Sequence, residues 1–565
     1  MQGAEAVAKF LKEGGVSHSF GVVGESVLEF IDAIRDDPEF EYVSVRHEQS
    51  GALAASGYAR NSQRPALCIG HIGAGASNLV NGMADAYKDD VPVIALTGND
   101  DTENLGRDVW HEVDHLTMFE PVTEWNVRIT DVERIPQVMR EAMTRLNTGT
   151  TGPIHIDLPT DVAEAELPDE TEAEIEDALA TVPGPDSPHD AVSPADPEVA
   201  DAVDRFLDAE MPLVLAGNET VWAQAGDSIG SLATYASTPI LTSLPARGVV
   251  SERHEYCFGA LGTLGRIAAK EVADEADFVL ALGSELTDLE TFSWSLFEDS
   301  EIVQVLQNDK ALGRQYSVDQ TVPANTRAFA EAFEAELRSR TDGPLSEPPE
   351  LDGFRESLGA ELDAVENPDP NNLEDTDAGL VNPYAPLKAI ADAKTPSDVI
   401  CSASGKNTLW SSLLPIEEPG TFLKSVGLGT MGFAFPAGLG AQAASEDATV
   451  FVVAGDGDFS MVAQELETCV RENLPVVVVV FNDDELSSIK TQQGDHYDGR
   501  YIGVDYTDVD FAKVADGFGA HGIRVTDGQV FDAALEEARS VDGPALIDVK
   551  TDPTIEAPSL FYEVQ

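Results

Sequence analysis

Residues 448–485 read ATVFVVAGDGDFSMVAQELETCVRENLPVVVVVFNDDE. The β-branched run TVFVVA leads into Gly455-Asp456-Gly457, and the apolar run PVVVVVF leads to Asn482-Asp483. Between them Met461, Val462, Leu466, Val470 and Leu474 recur at helical spacing. The segment therefore predicts a strand, a glycine turn, a helix and a second, parallel strand. A crossover helix returns the chain to the same end of the sheet, so Asp456 and Asp483 are expected side by side at adjacent strand ends. Carboxylates so placed are the hard oxygen ligands that magnesium takes. Glycines let the backbone approach phosphate oxygens, whose charge a helix N-terminus favours. A GDG turn alone also fits a solvated acidic loop; its spacing to Asn482-Asp483 is what favours a magnesium-diphosphate site.

Outward from this unit the chain divides into three blocks. Residues 1–165 alternate strands (SFGVV, EYVSV, ALCIG, PVIALTG) with helices, the pattern of an open parallel sheet. Residues 190–340 repeat it with PLVLAG, TPILT, ADFVLALG and EIVQVLQ. Residues 383–565 carry the GDG unit. Two segments rich in Asp, Glu and Pro, 166–189 and 341–382, read as surface linkers. The fold class is α/β, with three doubly wound parallel-sheet domains.

At 565 residues the chain is long enough for several buried cores. Its net charge of −68 accompanies 42% apolar residues, which describes a folded protein with an acidic skin rather than a disordered tail. In molar salt the Debye length falls to about 3 Å and the self-repulsion is screened, so the composition points to an intracellular protein of a salt-loving microbe. The same charge argues against nucleic acid or an anionic membrane as partner. Cys68, Cys257, Cys401 and Cys469 are scattered singly without metal-type spacing and read as buried free thiols. No apolar run approaches the length of a membrane span, so a cytoplasmic location is expected.

The GDG turn, the βαβ unit and the closing Asn-Asp resemble the cofactor signature of thiamine diphosphate enzymes. That resemblance implies that Asp456, Asp483 and the backbone carbonyl of Glu485 bind Mg2+, and that Gly455, Gly457, Asp458 and Phe459 face the diphosphate. Asp483 stands where Asn is commoner and Asp458 where a small polar residue is usual, and both add negative charge beside a diphosphate. The three blocks match the family's pyrimidine-binding, central and diphosphate-binding domains along nearly the whole chain. In SVRHEQSGALAASGYAR, Glu48 opens a small-residue helix after a strand, where an acid suits the helix N-terminus. The resemblance assigns Glu48 to N1′ of the aminopyrimidine, which promotes the tautomer that removes the thiazolium C2 proton. Asn78, Ser404, Gly405, Lys406 and Asn407 are implied as further cofactor contacts, Gly429 as a carbonyl facing the aminopyrimidine, and Met431 as the wedge between the rings. Met431 also fits a core position, and Lys406 a surface one.

The same resemblance implies a small 2-oxo acid substrate, and a site shared between subunits of at least a homodimer, dimer or tetramer; whether a regulatory subunit joins it stays open. RHEQSGALAASGYAR, NLVNGMADAY, DVWHEVDH and GTMGFAFPAGLGAQ are similar to acetolactate synthases. Glu25 stands where decarboxylases often place an acid or serine, and His71 where benzoylformate decarboxylase has its proton-transfer histidine. Glu48, Glu25 and His71 are thus the catalytic candidates, although a histidine beside a glycine loop also serves as a structural hydrogen-bonding group. Pyruvate decarboxylases carry a glutamate where Ile489 stands here. In acetolactate synthases a lysine precedes the position of Trp125, where this chain has Glu124, and Asn99 replaces a glutamine. Their arginine-bearing segment has become GSELTDL, ending at Leu289. A cation there would hold an acceptor carboxylate. With no G-x-G-x-x-G after a strand of the central block, FAD binding is not expected. The leading reading is decarboxylation of a pyruvate-like 2-oxo acid with transfer to an acceptor. The alternatives are a non-ligating decarboxylase of the benzoylformate type and a cofactor-binding, non-catalytic paralogue.

Overall fold

The computed structural model describes residues 1–148, 151–184, 192–376 and 378–558. Three six-stranded, wholly parallel sheets follow one another along the chain. The first holds β1 (His18–Gly21), β2 (Glu41–Ser44), β3 (Ala66–Gly70), β4 (Val93–Asn99), β5 (Trp125–Arg128) and β6 (Ile154–Pro159), in the order β2-β1-β3-β4-β6-β5. The second holds β7 (Pro212–Ala216), β8 (Ile240–Thr242), β9 (Cys257–Ala260), β10 (Phe278–Leu282), β11 (Glu301–Leu306) and β12 (Gln320–Pro323), ordered β12-β11-β10-β7-β8-β9. The third holds β13 (Val399–Ser402), β14 (Phe422–Lys424), β15 (Val450–Gly455), β16 (Val477–Asn482), β17 (His521–Val525) and β18 (Ala545–Lys550), ordered β14-β13-β15-β16-β18-β17.

Helices cover both faces of each sheet, so the central strands are buried on both sides and read as continuous apolar runs. VVVVFN of β16 is buried at every position. Each sheet has a central point at which the chain switches from adding strands on one side to adding them on the other, between β1 and β3, between β7 and β10, and between β13 and β15. At such a reversal the loops after the two central strands diverge and leave a crevice. These three crevices are where the fold places its candidate sites.

The structure corrects the sequence reading at three places. The crossover after β15 is two short helices, Asp456–Phe459 and Glu465–Arg471, rather than one. The Ser460 hydroxyl donates to the Asp456 carbonyl at 2.6 Å, which satisfies that acceptor locally, and Met461 turns outward at 54% exposure. The segment 166–189 holds the helix Asp169–Leu179, whose Ile175 and Ala178 join the first domain's core; residues 185–189 lie outside the described residues. In 341–382 the helix Leu351–Glu366 packs Leu351 into the central core and Val365 into the third.

The first and third domains meet through two helices, Glu48–Ser62 and Ala434–Ala444. Their small residues allow backbone contact: a Cβ on Gly57 would lie 2.1 Å from the Ala437 carbonyl oxygen, and one on Gly440 only 1.9 Å from that of Ala54. Beside this crossing Arg60 ties Asp85 and Asp89 together at 3.1 and 2.9 Å, all three buried. The four cysteines are buried free thiols. Among the described residues no helix is long and apolar enough to cross a membrane.

Candidate functional site

The third domain's crevice opens between β13 and β15. Parallel pairing sets Gly455 opposite Phe481, so Asp456 and Asp483 leave the sheet at neighbouring strand ends. A cavity of about 290 Å³ lies there, lined by Ser404, Gly405, Lys406, Asn407, Gly429, Met431, Gly455, Asp456, Gly457, Asp458, Asp483 and Glu485. Phe459 is the exception among the expected diphosphate-domain contacts. Its ring is wholly buried against Phe435 and Phe511 and takes no part in the cavity lining. An apolar side chain in the first helical turn is drawn into the core, away from the polar mouth.

Burial and the charge of Asp483 push the Asp456 carboxyl up to about 7. Burial, with the charge of Glu485 adding, raises Asp483 to about 6. Two neighbouring acids whose carboxyls are both raised above the usual range are an incomplete charge set, and a divalent cation with oxygen preference completes it. Asp456 Oδ1 accepts from the Gly457 amide at 2.8 Å, and Asp483 Oδ1 from the Glu485 amide at 3.2 Å. The Glu485 carboxylate is paired with Lys490, so its side chain is already occupied. Lys406 Nζ donates to the Pro553 carbonyl at 3.0 Å, and its charge favours ionised Asp483. Asn407 spends its amide hydrogens on the carbonyls of Ala403 and Val453, so it shapes the wall more than it offers donors. Leu486 and the half-exposed Ile489 close one side.

The first domain's crevice, between β1 and β3, gathers the other candidates. Glu48 opens its helix after His47, whose ring nitrogen caps the Gln49 amide. Asn78, on the helix Ala74–Lys88, donates its Nδ2 to Glu48 Oε2 at 2.9 Å. Glu48 Oε1 has room because residue 75 is glycine: a Cβ there would stand 3.1 Å from it. His71 follows β3 and Glu25 follows β1, and the Glu25 charge is felt by His71. His71 Nδ1 accepts from the Ser26 amide at 3.2 Å and lies 2.9 Å from Ser26 Oγ. Because Ser26 Oγ itself accepts from the Ile72 amide at 3.0 Å, its hydrogen points to Nδ1 and the His71 proton belongs on Nε2. Burial, reinforced by His111 with its ring centroid 5.4 Å away, lowers the His71 pKa. Glu25, Glu48, His71 and Asn78 contribute nothing to the lining of the diphosphate-domain cavity within the same chain.

The central crevice, between β7 and β10, forms a cleft of about 300 Å³ that also touches both other domains. Its walls hold Asp90, Glu124, Glu219, Glu285 and Glu290 against Lys88 and Arg314, and Arg314 is already paired with Glu285 at 2.8 Å. Burial pushes Glu219 up to about 7 and Asp90 well above the usual carboxylate range. Leu289 and Glu124, two of the positions where acetolactate synthases carry cations, are in this wall. Asn99 is instead a buried structural group, donating to Asp157 at 2.9 Å.

Sequence reasoning missed Ser26, His111 and Lys424. Ser26 sits one residue beyond Glu25, but its bond to His71 spans 45 residues and exists only because β1 and β3 pair. A lysine ending the apolar strand of TFLKS was the available signal for Lys424.

These three sheets, with sites at their reversal points, define a three-domain enzyme of the thiamine pyrophosphate class. The chain matches the thiamine pyrophosphate enzyme N-terminal TPP binding domain over residues 1–118, the central domain over 199–333 and the C-terminal TPP binding domain over 403–549. It is 32% identical to the probable acetolactate synthase large subunit of Methanocaldococcus jannaschii, over 98% of this chain and 92% of that one. To the acetolactate synthase large subunit of Corynebacterium glutamicum it is 31% identical, over 97% and 86%. To the acetolactate synthase isozyme 2 large subunit of Escherichia coli (strain K12) it is 30% identical, over 98% and 96%. The chain belongs to the acetolactate synthase-like family of thiamine pyrophosphate-dependent enzymes.

Proposed function

We propose that the protein decarboxylates a pyruvate-like 2-oxo acid and transfers the acyl unit to an acceptor carbonyl, as the names of its relatives suggest. The observation that carries this reading is the pair Asp456 and Asp483, both raised and side by side at the mouth of a glycine-lined cavity. The donor set fits Mg2+ and a diphosphate. Asp456, Asp483 and the Glu485 carbonyl would hold the ion, and Ser404, Gly405, Lys406, Asn407, Gly455, Gly457 and Asp458 would surround the diphosphate. Gly429 and Met431 line the same cavity toward the rings. When bound, thiamine diphosphate supplies a carbanion nucleophile and an electron sink. Glu48 then exchanges a proton at Oε1, the oxygen that Asn78 leaves free, while Asn78 fixes the carboxylate plane. His71, neutral at rest, takes up a proton and as the imidazolium donates one where an aldehyde is to be released, returning to the neutral ring, and Glu25 stands beside it.

In one chain the Glu48 cluster and the cavity are separate, and we infer that a second copy unites them. Val23, Trp110, Leu428, Met461 and Ile489, in or beside these two half-sites, are exposed apolar groups suited to such an interface. FAD is not proposed. The acid-lined central cleft, with Arg314 already paired, is ill suited to the diphosphate of a dinucleotide.

A second reading, a non-ligating decarboxylase, is favoured by the neutral, clamped His71 and by Leu289 and Glu124 standing where a carboxylate-binding cation would be. One experiment separates them. Purified protein in molar KCl receives thiamine diphosphate, Mg2+ and a panel of 2-oxo acids, and the products are identified. Acetolactate from pyruvate supports transfer, free aldehyde alone supports the second reading, and no turnover of any 2-oxo acid sinks both. A flavin spectrum in the purified protein would overturn the exclusion of FAD.

A further inference from the structure

Lys424 ends β14 beneath the loop that carries Gly429 and Met431, and only 6% of it is exposed. Its Nζ donates to Ser404 Oγ at 3.0 Å. The Ser404 hydroxyl in turn donates to the Gly429 carbonyl at 3.0 Å, with the Thr430 carbonyl at 3.2 Å. On the other side of the loop stands Asp458, 2% exposed. Its Oδ2 accepts from the Gly432 amide at 3.0 Å and from the Ser404 amide at 3.4 Å, and among the described residues its Oδ1 has no partner. Ser404 thus bridges a buried ammonium and a buried carboxylate, and the bridge grips the loop at Gly429 and at Gly432.

A buried charge without a counter-charge is costly. Here the two are joined through one residue: Ser404 accepts from Lys424 Nζ at 3.0 Å and gives its amide to Asp458 Oδ2 at 3.4 Å. The remaining groups around Lys424 are Asp85 and Asp89, which favour its charge, and Arg60, which opposes it. The aspartate that would add charge to the diphosphate cavity is therefore matched from behind.

We propose that Lys424 and Asp458 are coupled positioning residues: through Ser404 and the Gly432 amide they fix the Gly429–Gly432 turn, and Lys424 cancels the charge that Asp458 brings to the cavity wall, so that the cavity admits an anionic cofactor. This rests on the reading of the cavity as the thiamine diphosphate site.

The test is a cycle on the full chain in molar KCl, with thiamine diphosphate and Mg2+ binding followed by calorimetry and folding by circular dichroism. Wild type, Lys424→Met, Asp458→Asn and the double variant are compared. Lys424→Met is expected to bind the cofactor about tenfold or more weakly than wild type, whereas on the Asp458→Asn background, whatever that change itself costs, the same substitution is expected to shift binding by no more than about threefold. A wild type that binds no cofactor removes the site reading itself. A wild type that binds, with Lys424→Met folded and binding equally well, overturns the coupling. Should Lys424→Met fail to fold, the double variant decides: recovered folding and binding support the pair. Binding about tenfold weaker than Asp458→Asn alone, or failure of the double variant to fold, overturns it.

Discussion

Asn78 Nδ2 and Glu48 Oε2 are joined by a 2.9 Å hydrogen bond between two helices that pack against each other in the first domain. The amide can only donate from that nitrogen, so it holds the carboxylate in one plane and leaves Oε1 for a ligand. Glu48→Gln keeps the shape and removes the exchangeable carboxyl proton. The expected result is a fall of about 100-fold or more in the exchange rate of the thiazolium C2 proton, with cofactor affinity changed far less. Proton NMR of the bound cofactor measures the exchange, and an unaltered rate would remove Glu48 from proton transfer.

Much of this arrangement was legible in the chain. Val477–Asn482 announces itself because a strand covered on both faces needs no polar side, and the GDG turn marks its neighbour. What sequence hides is adjacency across a reversal point. Ser26 meets His71 only because β1 lies against β3, and nothing local at either residue says so. The helix Asp169–Leu179 is masked by composition: Thr171, Ile175 and Ala178 alone are buried on it, and the six acids around them read as linker. The division of the candidates into two separate clusters in one chain follows from the packing of the helices Glu48–Ser62 and Ala434–Ala444, which no motif reports.

His71 offers a test that separates proton delivery from architecture. Its pKa is lowered from the ordinary 6.5, first by burial and then by His111. A depressed histidine pKa favours the folded state above the unfolded value and loses that contribution as pH falls through the folded value. The neutral ring therefore persists below 6.5, and the imidazolium that can donate a proton gains population only as pH falls further. His71→Ala should reduce aldehyde release by about 10- to 100-fold and carbon-carbon bond formation much less. In the parent protein the alkaline limb of the aldehyde-release profile, where His71 loses its proton, should lie below 6.5. Equal loss of both products in the variant would make His71 a structural group.

Asp456 predicts how magnesium and protons compete. Its carboxyl is raised from 3.8 to about 7, so the metal-free folded protein keeps a proton that the unfolded chain releases. That contribution to stability is complete below 3.8 and is lost as pH rises through about 7. Magnesium requires the deprotonated acid, so binding expels protons near neutrality. Calorimetry at about pH 6 in two buffers of different ionisation heat should show about one to two protons released per ion, nearly one from Asp456 and about half of one from Asp483. Asp456→Asn should cut that release to the share that Asp483 supplies. Identical heats in both buffers for the parent protein would contradict the assignment.

The crossing of Gly57 and Gly440 sets the last prediction. A Cβ on Gly440 would sit 1.9 Å from the Ala54 carbonyl oxygen, and one on Gly57 would sit 2.1 Å from that of Ala437. Both obstacles are backbone, which cannot rotate aside, so the two helices must separate. Gly440→Ala and Gly57→Ala are each expected to destabilise the protein by about 1–3 kcal/mol. Because both substitutions push apart the same pair of helices, the first removes part of the clash that the second meets, and the double variant should lose less than the sum. Thermal unfolding in molar KCl gives the comparison. Strict additivity would mean that the two glycines relieve independent contacts, and unchanged midpoints would mean that the helices do not approach this closely.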